Sequence, residues 1–312
     1  MKDLCLVTGG AGFIGSHLVE ALAAGAFPVR VLDDLSTGLR SNLAGVKPAP
    51  EIISGDVGDA ATVARAMKDV KLVFHLAALA SVQKSVEGPA ETHRVCDTGT
   101  LNILDAARRS GVRRVVYAAS ASAYGIPTGD VQTEDEPIRP LSPYAAAKMA
   151  GELYMEAFTA TYGLETVRLR FFNIFGPRQR ADSPYSGVIA IFAGLMTAGK
   201  APVIHGDGMQ SRDFTYVSDV VQALLKASLM PGVSGKVYNV GTGRSISLLD
   251  LVAALNRQLG KNLTPTHGPE RIGDIRHSRA DISRASRDLG YEPKVSFEEG
   301  LEKTLRWYRE SK

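Results

Sequence analysis

Only two cysteines, Cys5 and Cys96, occur in 312 residues. That is too few for a disulfide framework and fits a reducing compartment. Long apolar runs are also missing. No segment approaches the ~20 consecutive apolar residues of a membrane span, and the opening apolar run reads as one short strand rather than a leader. Neither charge sign dominates: 36 Lys and Arg stand against 33 Asp and Glu, a net charge of +3. The basic residues are single or paired, as in Arg108-Arg109 and Arg113-Arg114. Those pairs end a helix and open a strand, where cations suit the helix C-terminus, and nothing resembles a nucleic-acid footprint. The six histidines share no metal-ligand spacing. No nucleic acid, membrane or metal is expected, and a cytoplasmic location is.

The sequence has 45% apolar and 22% charged residues and 31 glycines, the balance of an α/β protein long enough for about two domains. Apolar runs of strand length alternate with helical patterns through the first half. Leu4–Thr8, Val29–Asp33, Glu51–Ser54, Leu72–Leu76, Val115–Ala119 and Thr166–Arg170 read as strands. Their nearly continuous apolar character suits a parallel sheet buried on both faces. Helices are expected at Phe13–Ala24, Ala60–Lys68, Pro89–Ser110 and Pro143–Tyr162, which together give an α/β doubly wound (Rossmann) sheet. Beyond Phe172 the rhythm breaks. Asn173–Pro177 reads as a turn, strands at Val203–His205 and Val237–Val240 are shorter, and three more helical patterns end with Phe297–Ser311. The expected division is residues 1–172 for the sheet and 173–312 for a smaller α/β substrate-binding lobe, with some chain crossing back.

Gly9, Gly12 and Gly15 form G-x-x-G-x-x-G between the first strand and the first helix, the context a dinucleotide-binding turn requires. Glycine permits the tight turn and the approach of backbone N–H groups to a pyrophosphate at the helix N-terminus. Asp33 closes the next strand. Its carboxylate suits ribose hydroxyls and repels a 2′-phosphate, which favours NAD over NADP. Asp56, in Gly55-Asp56-Val57, is placed to face the adenine. Tyr144 and Lys148 are four residues apart on one helical face. A phenol titrates near ~10, and the ammonium is expected to favour the phenolate and bring the group toward neutral pH.

These motifs together resemble the extended short-chain dehydrogenase/reductase superfamily. Three later segments narrow the likeness to its UDP-sugar 4-epimerases, the UDP-glucose and UDP-N-acetylglucosamine group: Phe172–Gln179, Ser183–Ile189 and Gly206–Val217. The resemblance implies that Tyr144 takes the proton of the sugar 4-hydroxyl as hydride leaves C4, that Lys148 holds the nicotinamide ribose, and that Ser120 hydrogen-bonds the 4-oxygen. Ser122 is the rival to Ser120. The implied cofactor site adds Phe13, Ile14, Asp34, Ser36, Thr37, Gly38, Val57, Leu76, Ala77, Ala78 and Phe171. The implied UDP anchor is Asn173, Arg212, Arg271 and Asp274, with Val188 beside it. A homodimer built on the helices Pro89–Ser110 and Pro143–Tyr162 is implied as well.

Ser120-Ala121-Ser122 lacks the carboxylate that related dehydratases and decarboxylases carry there. Ala80 and Ser278 are small, which leaves room for an N-acetyl group. Arg180, after Pro-Arg-Gln, instead resembles UDP-glucuronate 4-epimerases, and that substrate stands as an alternative, as does an NAD(P)-dependent nucleotide-sugar reductase. Cys96 stands where the family usually has Asn.

Overall fold

The computed structural model describes residues 2–127, 129–180, 187–270 and 275–310. Within them the strands are β1 (Cys5–Thr8), β2 (Val29–Asp33), β3 (Glu51–Ser54), β4 (Leu72–His75), β5 (Arg114–Ser120), β6 (Glu165–Phe171), β7 (Asn173–Phe175), β8 (Val203–His205), β9 (Ser211–Arg212), β10 (Phe214–Tyr216), β11 (Lys236–Val240), β12 (Ile246–Ser247) and β13 (Thr266–Gly268). The helices are α1 (Phe13–Ala24), α2 (Ala60–Ala66), α3 (Val82–Glu87), α4 (Pro89–His93), α5 (Gly99–Arg109), α6 (Pro143–Tyr162), α7 (Val188–Thr197), α8 (Val217–Leu229), α9 (Leu248–Leu259), α10 (Ser283–Leu289) and α11 (Phe297–Glu310).

Seven parallel strands form the central sheet in the order β3-β2-β1-β4-β5-β6-β11. β1 and β4 are buried throughout, because helices cover both faces. α1 and α8 pack together on one side, and α5 contacts both α2 and α6 on the other. The longest helix, α6, is set by local chemistry. Ser142 caps it by accepting from Ala145 N (3.2 Å), Pro143 opens it, and Gly163 ends it in the left-handed region at φ +68°.

The second half contributes to both regions. β11 extends the large sheet beside β6, and α8 covers it. The remaining elements build a smaller α/β region around an aromatic centre, in which Phe214 stacks on Phe297 at 5.9 Å and meets Phe175 edge-on at 6.5 Å.

Four local expectations are corrected. Helix α2 stops at Ala66 rather than Lys68, and the chain then turns through Asp69 at φ +64°. The expected helix Pro89–Ser110 is interrupted by a π-helical turn over Arg94–Thr98. Asn173–Phe175 is a strand paired with Phe214–Tyr216, not part of a turn. Beyond Phe172 there are five described helices instead of three.

Candidate active site

A parallel sheet puts every strand's carboxyl end on one edge, and ligands bind where the winding reverses, here between β1 and β4. The chain leaves that edge at Gly9 after β1, Asp33 at the end of β2, Asp56 after β3, Leu76 to Ala78 after β4, Ser120 at the end of β5 and Phe171 at the end of β6. Sequence-distant candidates are thereby brought to one rim.

Gly9 turns at φ +70°, and Gly12 N donates to its carbonyl at 3.1 Å. A Cβ on Gly15 would lie 2.1 Å from that carbonyl oxygen, so the helix start and the turn touch through backbone alone. Phe13 and Ile14 begin α1 on this turn. The Asp33 carboxylate accepts from Ala11 N (2.9 Å) and Leu35 N (2.8 Å). Burial raises its pKa, and these two donors act in the opposite direction. Asp34 accepts from the backbone and hydroxyl of Ser36 (2.9 and 2.7 Å), while a Cβ on Gly38 would press on Asp33 at 2.9 Å. Thr37 lies between them, exposed. Asp56 is engaged by Gly58 N (2.7 Å) and by the Arg94 guanidinium (2.6 Å). Val57 is buried beneath it. A bare-backbone cradle at a helix N-terminus, next to a buried carboxylate at the second strand end, fits a dinucleotide.

Ser120 is the last residue of β5 and caps the following turn by accepting from Ser122 N at 3.2 Å. The Ser122 hydroxyl also donates to Ser120 Oγ at 2.9 Å. Of the two serines, Ser120 is the one whose hydrogen bonding acts on the Tyr144 phenol. Burial pushes the Tyr144 phenol up to about 12, with the Ser120 bond working against it. Lys148 Nζ donates to the Ala118 carbonyl (2.8 Å) and lies 4.7 Å over the Tyr117 ring, and burial lowers its pKa. In the protein alone, α6 packs so closely on β5 that desolvation governs Tyr144, and the ammonium is taken by a carbonyl.

Thr8 and Thr100, which the sequence does not single out, support the rim through His75 and Cys96. Thr8 Oγ1 accepts from Leu76 N and Ala77 N (3.2 Å each), leaving its own proton for His75 Nδ1 at 2.7 Å. His75 Nε2 then donates to Thr100 Oγ1 at 3.0 Å, since that hydroxyl gives its proton to the Cys96 carbonyl. Burial pushes His75 down to about 3; it is neutral and structural. The Cys96 thiol accepts from Leu79 N at 3.4 Å, within the π-helical turn.

On the substrate side, Asn173 N donates to the Asp213 carbonyl at 3.0 Å. The Asp213 carboxylate is fully buried and ties Thr242, Gly243 and Ala280 together. Arg212 donates to the carbonyls of Ser211 (2.9 Å) and Arg276 (3.3 Å), and Ser278 N donates to Ser211 O at 3.1 Å. Val188 and Asn173 line one small cleft with Gln179 and Phe214. Ala80 is exposed in the segment after β4. Arg271 and Asp274 lie outside the described residues. Among the described residues no cluster of His, Cys, Asp and Glu is arranged for a metal, and no helix is long and apolar enough to cross a membrane.

The NAD dependent epimerase/dehydratase family matches residues 5–241. A UDP-glucose 4-epimerase of Mycolicibacterium smegmatis is 41% identical over 308 residues, covering 97% of this chain and 98% of its own. The structure of a UDP-N-acetylglucosamine 4-epimerase from Methanobrevibacter ruminantium, in complex with UDP-N-acetylmuramic acid, is similar with a TM-score of 0.95 at 38% identity, covering 100% of each chain. A Thermus thermophilus UDP-glucose 4-epimerase in complex with NAD gives 0.90 at 39% identity, covering 98% of this chain and 99% of that one.

Proposed function

Since the chain belongs to the NAD dependent epimerase/dehydratase family, among its UDP-sugar 4-epimerase-like members, we propose that it is a 4-epimerase of UDP-hexoses. Its substrates are UDP-Glc and UDP-Gal and, through the small Ala80 and Ser278, UDP-GlcNAc and UDP-GalNAc. The observation that carries this reading is that Ser120, at the carboxyl end of β5, acts on the Tyr144 phenol at the start of α6, in a segment without a carboxylate. Dehydration or decarboxylation of the sugar needs a further acid–base group there.

In this reading Tyr144 takes the proton of the 4-hydroxyl, and Ser120 bridges the phenol and the 4-oxygen. Lys148 holds the nicotinamide ribose and keeps a positive charge beneath the site. NAD held there would supply reversible hydride transfer at C4, with no net redox. Asp33 selects NAD by repelling a 2′-phosphate, which disfavours an NADPH-dependent reductase. Asn173, Arg212, Arg271 and Asp274 hold the UDP, leaving the 4-keto sugar free to turn. Guanidiniums suit that task through bidentate bonds to a pyrophosphate.

Chromatography of the sugar epimers, after incubation with NAD and separately with UDP-Glc, UDP-GlcNAc and UDP-glucuronate, tests the reading. The expected result is a fixed 4-epimer ratio without NADH accumulation, with neutral sugars fastest. Fastest turnover of UDP-glucuronate moves the assignment to the acid sugar and gives Arg180 its carboxylate. No conversion of any of the three sinks the reading.

The active form is a homodimer. Val86 on α3 is 64% exposed and Leu153 on α6 is 60% exposed, and these two helices touch, an apolar face that a second copy of the chain would cover. A monomer mass by light scattering at micromolar concentration overturns this.

A further inference from the structure

Tyr144, Lys148 and Glu152 recur every four residues along α6, a spacing that stacks them on one face. Lys148 and Glu152 are each 3% exposed, and Arg170 on β6 is 2% exposed. Buried charges are costly unless they compensate one another. Arg170 meets Glu152 through Nε to Oε1 (3.0 Å), Nε to Oε2 (3.2 Å) and Nη2 to Oε2 (2.9 Å). The guanidinium also lies 4.8 Å from the centre of the Tyr124 ring, and its Nη1 reaches the Glu134 carbonyl at 3.5 Å. Lys148 makes no ion pair among the described residues; its ammonium has the Ala118 carbonyl and the Tyr117 ring.

The other titratable groups facing Lys148 are His75 on β4, Tyr117 on β5, Cys96 in the π-helical turn and Tyr144 itself. His75 is neutral, and burial holds the Tyr117 phenol far above its ordinary value. Only Cys96 and Glu152 act in favour of the charged ammonium. Two buried cations, Lys148 and Arg170, therefore share the single Glu152 carboxylate. Removing it leaves two cations without their shared carboxylate, since Glu134, the other buried carboxylate acting on Tyr124, is held by Asn239 N (2.8 Å) and Arg284 (3.7 Å).

We propose that Glu152 is a positioning residue for proton transfer: its carboxylate, fixed by Arg170, balances the buried cations so that Lys148 stays charged beside Tyr144. This rests on the reading of Tyr144 and Lys148 as the reacting pair. The test is kcat against pH, from about 6 to about 10, for the full chain with NAD and UDP-Glc. Glu152→Gln is expected to bring an alkaline limb down by about one pH unit, an about tenfold loss at high pH beyond any uniform loss. Glu152→Gln combined with Arg170→Gln removes one charge of each sign and is expected to restore the wild-type limb. If Glu152→Gln alone does not fold, Glu152→Asp keeps the charge while disturbing the Arg170 geometry, and its limb is expected at the wild-type position.

A profile scaled down without moving its limb in Glu152→Gln shows a merely structural role and overturns the proposal. So does a displaced limb in Glu152→Asp, or a limb that moves in Cys96→Ser instead. Tyr144→Phe separates the two levels. Turnover surviving in that variant sinks the underlying reading, whereas an inactive Tyr144→Phe with an unmoved Glu152→Gln limb sinks only the role of Glu152.

Discussion

Tyr144→Phe lowers kcat by about 10²–10⁴-fold, the range expected when a positioned acid–base group is lost, and leaves UDP-sugar affinity within about threefold. Tyr144 is half-buried at the start of α6. At a pKa pushed up to about 12, roughly one phenol in 10⁵ is ionised at pH 7. The group is thus a poor base until positive charge is added beside it, and its reactivity is set by the site as assembled with cofactor and substrate. Phenylalanine keeps the ring and removes only the hydroxyl. Ser120 keeps the hydrogen bonds from Ser122 N and Ser122 Oγ, so the cost to stability is that of about one hydrogen bond, about 1 kcal/mol.

Two measurements make this decisive. Calorimetric titration with UDP, which lacks the sugar, reports the nucleotide anchor alone, and turnover reports the proton. Loss of both together would mean that the substitution disturbed the fold. Retention of more than a tenth of wild-type turnover would assign the proton to another group, with Ser120 next in line.

Much of this site was legible because its signals are local. The glycine spacing, the strand-end Asp33, and Tyr144 with Lys148 each lie within one short segment, and the parallel sheet then carries them to a common edge. What was not legible depends on distance or desolvation. Ser120 and Ser122 look alike in sequence; only the exit of β5 and the packing of α6 decide which hydroxyl meets the phenol. Helical spacing alone puts Lys148 and Tyr144 on one face. The spacing says nothing of the Ala118 carbonyl that takes the ammonium. Arg170 and Glu152 are 18 residues apart, and their pairing depends on how α6 packs on β6. The π-helical turn at Arg94–Thr98 has no signature in the residue pattern. Asn173–Phe175 read as a turn because Gly176 and Pro177 follow, whereas its partner strand is some 40 residues away in sequence.

Gly15→Ala is the substitution with the largest expected effect on the assembled protein. A Cβ there would lie 2.1 Å from the Gly9 carbonyl oxygen and 2.8 Å from the Gly10 Cα. Neither neighbour is a side-chain end that can swing away. The first turn of α1 must then move off β1, which strains the core that Leu18, Val19 and Leu22 make on the sheet. Overpacking of this kind costs about 1–3 kcal/mol or more, expected as a fall of several degrees in Tm. The same movement pulls the backbone N–H groups away from a bound pyrophosphate, so NAD affinity falls by at least about tenfold, roughly 1.4 kcal/mol. Gly12→Ala is the control. Its Cβ would meet the same carbonyl only at 3.2 Å, a contact that a shift of a few tenths of an ångström relieves, and its Tm is expected near that of the wild type. Differential scanning calorimetry with and without NAD reads both effects. Equal Tm values for the two variants would show that the turn and α1 are not in contact through Gly15. A destabilised Gly15→Ala with wild-type NAD affinity would place the pyrophosphate away from this turn.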